Sequence, residues 1–178
     1  SMIKNYSKYF KNNSLKIIAC GGQKCSSNLI KKFEKKYNLQ VNEQYGLTET
    51  TSIATAQPLS NRNLNSVGKV LKGTSIKLLK TNNVLTSKGP GEICIKGKNV
   101  ISGYFENKSL NKKKFFKGFL RTGDYGYFDK HKNLFFTSRK DFLIIKGGEN
   151  IYPAEVENAL YGLKQVNECA VVGYFDKF

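Results

Sequence analysis

The pattern of apolar and polar positions changes character twice along the chain. Residues 15–20 (LKIIAC) are a short apolar run closed by Gly21 and Gly22, which predicts a buried strand ending in a turn. Leu29, Ile30, Phe33 and Tyr37 then recur at helical spacing behind Ser26 and Ser27. This predicts a helix capped by one of the two serines, with those four side chains on its buried face. Residues 39–43 read as a second strand, so Tyr45 and Gly46 fall in the loop at its carboxyl end, where open α/β sheets take their ligands.

From residue 66 to about 137 the chain becomes a series of short apolar runs between Gly, Asn and Lys turns. Strands are expected at 75–79, 92–96, 125–128 and 134–137, forming a small antiparallel, barrel-like unit. A third character begins after Arg139, Lys140 and Asp141. Residues 142–145 read as a strand and Gly147-Gly148 as a turn. Pro153 opens a helix at its first position, with Glu155 and Glu157 at the positive dipole end. Val156, Leu160 and Leu163 are its expected buried face, Gly162 its stop, and 169–174 (CAVVGY) a further strand. This last unit is too short for a core of its own, so the chain reads as truncated.

Composition sets limits on function. The 178 residues are 39% hydrophobic, without a run long enough to span a bilayer. Cys20, Cys25, Cys94 and Cys169 lack metal-ligand or disulfide-framework spacing, which predicts buried structural thiols in a reducing, cytoplasmic compartment. His131, the sole histidine, sits in a polar turn, which argues against a histidine triad or metal site. The net charge of +17 is carried mainly by scattered lysines; only Arg62, Arg121 and Arg139 are arginine. That distribution argues against a nucleic-acid binder, which needs arginine to read base edges, and reads first as a lysine-biased, solvated surface, whose positive field would favour polyanionic ligands such as ATP and coenzyme A.

Six motifs occur in order: GGQKCS (21–26), QYGLTET (44–50), SVGKV (66–70), GEICIKGKNVISGY (91–104), RTGD (121–124) and SRKDFLIIKGGENIYPAEVE (138–157). Together they resemble the adenylate-forming enzymes, which include acyl-CoA synthetases, aryl-CoA ligases and luciferases. The match runs from about residue 15 to the end. It implies a mixed α/β and α+β architecture. Residues 1–65 would end an α/β subdomain and 66–138 form the β-rich subdomain. A hinge would fall at 139–141, and a small α+β C-terminal domain would start at 142–178.

The resemblance also implies a reaction: a carboxylic acid and ATP give acyl-adenylate and pyrophosphate, and coenzyme A then takes the acyl group. Gly21 and Gly22 match the loop lining the adenine, although Gln23-Lys24 replace a small residue and proline usual in the family. Gln44, Tyr45, Gly46, Leu47 and Thr48 match the nucleotide loop, with Tyr45 against adenine and the Thr48 hydroxyl near the α-phosphate. Glu49 matches the acid that helps hold Mg²⁺, a hard ligand for a hard cation. Asp124 matches the carboxylate accepting both ribose hydroxyls, and Arg139 the arginine of the ribose and phosphate region. Asp141 matches the hinge; Lys146, Gly147 and Gly148 match the turn beside the coenzyme A channel. Residues 91–104 match family scaffold.

The family's upstream Ser/Thr/Gly-rich phosphate loop and its downstream catalytic lysine have no counterpart here. The expectation is that the chain supplies an AMP- and Mg²⁺-binding wall and a hinge and is inactive alone. A carrier-protein-loading adenylation domain and a non-catalytic nucleotide-binding module are the alternatives. The acid and the oligomeric state are not specified by the sequence.

Overall fold

The computed structural model describes residues 14–23, 25–147, 149–161, 163 and 165–174, without the side chains of Asn150, Ala154 and Asn158. The fold is mixed α/β. Strand β1 (Ile17–Cys20), helix α1 (Ser27–Tyr37) and strand β2 (Gln40–Tyr45) make a parallel β-α-β unit. Short antiparallel strands β3 (Thr55–Ala56) and β4 (Lys69–Val70) complete a sheet ordered β1-β2-β3-β4. Helix α1 ends because Asn38 takes the left-handed conformation (φ 53°), its N–H closing on the Glu34 carbonyl.

Ile30 and Phe33 of α1 pack with Leu39 and Val41 into the first core. The predicted apolar face is wider than the buried one, since Leu29 is 45% exposed. Nor is β1 the buried strand expected: Ile17 is 42% exposed. The reason lies in the layout, because among the described residues β1 pairs with β2 alone. The first core is narrow and takes only one stripe of the helix.

The second sheet contains β5 (Thr74–Leu79), β6 (Leu85–Thr86), β7 (Gly91–Gly97), β8 (Phe115–Phe116), β9 (Phe119–Phe128) and β10 (Leu134–Arg139), all antiparallel. Its order is β10-β9-β7-β5-β6, with β8 also on β9. The expected barrel does not close. The edges β10 and β6 are unpaired with each other, and β6 offers only two residues for a ladder. Ala54, Val67, Ile76, Leu78, Ile93, Ile95 and Leu134 form its core, against which Tyr45 of β2 packs. Helix α2 (Lys108–Lys114) is capped by the Asn107 side chain, which accepts from the Leu110 N–H at 3.0 Å.

A 3₁₀ turn at Lys140–Phe142 delays the next strand, so β11 is Ile144–Lys146 and pairs with β12 (Glu149–Ile151). Helix α3 (Pro153–Leu160) starts on its proline as expected. Its stop was expected at Gly162, which lies outside the described residues; the helix closes at Leu160. Val156 and Leu163 are exposed rather than buried, at 39% and 53%. Residues 169–174 are not a strand either. A strand needs a backbone partner, and here side chains take that place: Glu157 Oε1 accepts from the Val171 N–H at 2.9 Å.

All four cysteines are free, and only Cys94 is buried outright. Burial, then the nearby Glu92 carboxylate, pushes the Cys94 thiol up to about 12; burial and Glu43 push Cys20 to about 11. Both are therefore protonated and unreactive at neutral pH. No helix among the described residues is long and apolar enough to cross a membrane.

One ion pair ties α1 to β2. Arg62 forks onto Glu34, Nη1 to Oε1 at 2.6 Å and Nη2 to Oε2 at 3.3 Å, and Nη1 also donates to the Val41 carbonyl at 2.9 Å. Partial burial opposes ionisation of Glu34, but Arg62 and the Val41 N–H outweigh it and lower its pKa. A lowered folded pKa stabilises above the ordinary glutamate value of about 4.3 and loses that stability as pH falls through the folded value. Arg62→Ala should cost about 2 kcal/mol at pH 7 and flatten the acid limb. Thermal melts of both proteins from pH 7 to pH 3 check this, and parallel curves would refute it.

Candidate functional site

The candidate site forms where the end of β2 meets the second sheet. Residues Leu47 to Ser52 fold back on themselves. The Leu47 carbonyl accepts from the N–H groups of Thr50 and Ser52, both at 3.0 Å, and the Thr50 hydroxyl accepts from the Leu47 N–H at 2.9 Å. Thr50 is fully buried and pins the loop from beneath, while Thr48 stands exposed at its tip. Gly46 was expected to give a ligand room. Its first constraint is internal, because a Cβ there would land on the Ser52 carbonyl oxygen and lie 2.8 Å from Ile53 Cα. The return of the chain over Gly46 makes the loop compact.

Asp124 is buried, 3% exposed, on β9. The strand expected at 125–128 starts earlier, so that RTGD lies within β9. Alternation along β9 turns Leu120, Thr122, Asp124 and Gly126 inward. The Thr122 hydroxyl accepts from the Asp124 N–H at 3.0 Å and donates to the Ile93 carbonyl at 2.8 Å. Tyr45 donates its hydroxyl to Asp124 Oδ2 at 2.8 Å, and Arg139 Nε donates to Oδ1 at 3.1 Å. Three elements thus converge on one carboxylate.

A bulge makes the Arg139 contact possible. In β10 the register shifts between Phe136 and Ser138, so that Ser138 faces Tyr125 and Arg139 faces Asp124. Without the extra residue, Ser138 would face Asp124 and Arg139 would turn to the other side of the sheet. The Arg139 side chain stays 54% exposed while that of Asp124 is buried, so the pair is open on one side. Burial and then the Asp124 carboxylate raise the Tyr45 phenol well above its usual value. It is therefore a donor throughout the physiological range.

Glu49 is half-buried beside Thr48. Tyr104 donates its hydroxyl to Glu49 Oε1 at 2.8 Å, and the Ile101 N–H donates to the Glu49 carbonyl at 2.9 Å. Burial, then the bond to Glu49, pushes the Tyr104 phenol up to about 12. Asn99 braces the same loop, its Nδ2 donating to the carbonyls of Thr50 at 3.2 Å and Ile53 at 3.1 Å.

Among the sequence-predicted residues, the structure brings together Gln44, Tyr45, Gly46, Leu47, Thr48, Glu49, Asp124 and Arg139. Gly21 belongs with them, since a Cβ on it would lie 3.0 Å from Gln44 Cγ and from the Gln44 carbonyl oxygen. Gly22 follows in a left-handed turn (φ 85°) with open space around it. Asp141, in the 3₁₀ turn, and Lys146 and Gly147, at the β11–β12 turn, are exposed, and among the described residues no hydrogen bond or ion pair joins them to this group. Gly148 lies outside the described residues. Asn99, Tyr104 and Thr122 were missed as site residues. The first two sit in a stretch read as scaffold, about fifty residues from the loop they hold, so no local spacing could signal them.

No group of three or more potential metal ligands exists among the described residues. The carboxylate of Glu49, with Oε1 held by Tyr104, suits a cation that keeps most of its shell from water and phosphate. It is not a self-sufficient metal cage.

The AMP-binding enzyme family matches residues 2–105, more than half of the chain. The chain belongs to this family. It is 43% identical over 166 residues to the 2-succinylbenzoate–CoA ligase of Bacillus licheniformis, covering 92% of this chain and 34% of that protein. As a member of this family it also matches the fold of o-succinylbenzoate CoA synthetase from Bacillus subtilis. The complex of that enzyme with the acyl-adenylate intermediate OSB-AMP aligns with a TM-score of 0.83 at 37% identity, covering 93% of this chain and 34% of that one. Its complex with ATP and magnesium ion aligns with a TM-score of 0.81 at 35% identity, covering 96% and 37%. The chain therefore spans about a third of the length of the relatives it matches.

The geometry separates two glycines that look alike in sequence. Gly46→Ala drives a Cβ into backbone and should destabilise by about 3 kcal/mol, whereas Gly22→Ala meets only the left-handed backbone cost of about 1 kcal/mol. Urea unfolding of the two variants should rank them in that order, and equal midpoints would show that the loop does not close over Gly46.

Proposed function

We propose that the whole protein is an ATP-dependent acid–CoA ligase and that this chain carries the wall of its site that holds AMP and magnesium. The observation that carries the reading is the convergence of Tyr45, Asp124 and Arg139 beside the Leu47–Ser52 loop, in a chain 43% identical to a CoA ligase. The acid we assign is 2-succinylbenzoate, the substrate in the names of the relatives. Carrier-protein loading has no observation here in its favour.

The chemistry asks little of general bases. A carboxylic acid with a pKa near 4 is ionised at neutral pH, and the obstacle is bringing two anions together. Positioning and charge neutralisation are the remedy. Gly21, Gly22 and Gln44 line the adenine, with Tyr45 beside it. Asp124 receives the ribose hydroxyls. Both its oxygens carry a protein donor in this structure, but each has a second lone pair, and the exposed Arg139 is the partner free to swing onto phosphate. The Thr48 hydroxyl donates to the α-phosphate. Glu49 would hold magnesium through Oε2, and the bound ion would supply positive charge to offset that of the phosphates.

We further assign residues 1–65 and 66–138 to two subdomains of one larger domain, 139–141 to a hinge about Asp141, and 142–178 to a second domain. Lys146, Gly147 and Gly148 would then border the coenzyme A path. These 178 residues alone are proposed not to turn over, because they correspond to about a third of a working ligase.

In the whole protein, ATP–pyrophosphate exchange should depend on 2-succinylbenzoate and Mg²⁺. Asp124→Asn should weaken ATP binding by about tenfold or more, the worth of one hydrogen bond to a charged group. Exchange driven equally well by unrelated fatty acids would overturn the substrate, and unchanged ATP affinity in Asp124→Asn would overturn the ribose role. Exchange by the 178-residue chain at the rate of the whole protein would overturn its assignment as one wall.

A further inference from the structure

The stretch read from sequence as scaffold, residues 91–104, reaches the loop at several points. Asn99 holds two of its carbonyls, and the Ile101 N–H bonds the Glu49 carbonyl at 2.9 Å. Beyond these backbone braces, a single side chain from the stretch reaches the functional acid: Tyr104, whose hydroxyl donates to Glu49 Oε1 at 2.8 Å. Oε2 has no protein partner among the described residues.

Tyr104 is itself held. Asn111 of helix α2 accepts from the Tyr104 N–H through Oδ1 at 2.7 Å and donates through Nδ2 to the Tyr104 carbonyl at 3.0 Å. Both backbone polar groups of one residue are thus taken by one amide. Gly103 eases the approach, since a Cβ there would lie 3.1 Å from that amide and the amide would have to give by a few tenths of an ångström. A free tyrosine on a loop would lose its rotamer freedom in making such a bond. Here the backbone is already fixed.

We propose that Tyr104 and Asn111 are positioning residues for the magnesium ligand, an inference that rests on the functional reading above. Asn111 clamps the Tyr104 backbone, and the Tyr104 hydroxyl fixes Oε1 of Glu49 so that Oε2 is presented to the cation. An outer partner of this kind orients a ligating carboxylate and sets its affinity for metal, an effect of about 10- to 100-fold when removed. Neither residue touches the nucleotide or the metal.

The test uses the whole protein with Mn²⁺ as the probe, read by water-proton relaxation in the presence of ATP, alongside ATP affinity without divalent metal. Tyr104→Phe should raise the Mn²⁺ concentration at half-saturation about 10-fold and leave metal-free ATP affinity unchanged. Asn111→Ala should act in the same direction by a smaller factor, and the double variant should be no worse than Tyr104→Phe, since both act through one hydroxyl. Glu49→Gln is the control that removes the ligand itself. A wild-type protein in which ATP binding is indifferent to Mn²⁺ would sink the functional reading. A metal-dependent wild type with a Tyr104→Phe variant that matches it would sink this inference alone. Equal loss of metal-free and metal-dependent ATP binding in both variants would mark a merely structural role and overturn it as well.

Discussion

The carboxylate of Asp124 is the constraint on which the architecture of the site depends. It is buried, so it must be paired or bonded to remain charged, and its donors come from different parts of the chain. Tyr45 arrives from the first sheet, Arg139 from β10, and the Thr122 hydroxyl orders the backbone of β9 around it. Satisfying one buried anion thus fixes the β2 end relative to two strands of the second sheet. The Tyr45 ring adds an apolar share by packing against the second core, 6.3 Å from the Phe136 ring.

The same device recurs at two other places. Each of the three arginines is committed to an acid: Arg62 to Glu34, Arg121 to Glu92 and Arg139 to Asp124. None of these three pairs uses a lysine, despite the number of lysines in the chain. Arginine carries a planar fork that matches a carboxylate and is less strongly hydrated than an ammonium, so it tolerates partial burial. Lysines keep their charge in water and set the overall positive field. The charge of +17 therefore says more about the solvent-facing surface than about the site.

Much of the site was legible because its chemistry is local. The Gln44 to Glu49 segment keeps its residue types within one turn, and Gly21 is near Gln44 because a β-α-β unit returns parallel strands to neighbouring positions. The strand expected at 125–128 left out RTGD, where Gly and Asp have low strand preference, although β9 runs from Phe119 to Phe128. Burial of alternate residues on β9 overrode that preference. The helix faces and the last segment failed for a related reason. Periodicity reports which side chains could be buried, while exposure at Leu29, Val156 and Leu163 depends on whether a neighbouring layer covers them.

By itself the sequence determined the order and type of most of the main elements, the family resemblance and the residues proposed to bear the nucleotide chemistry. These depend on short-range spacing, turn residues and the reactivity of side-chain groups. Only the tertiary structure decided that a bulge at Thr137 turns Arg139 onto Asp124, that Tyr45 bonds the same acid, and that Tyr104 and Asn111 stand behind Glu49. Those contacts join residues 7 to 79 positions apart, and a one-residue shift in strand register would remove the first of them. Such register is set by how the sheets pack, and local sequence does not carry it.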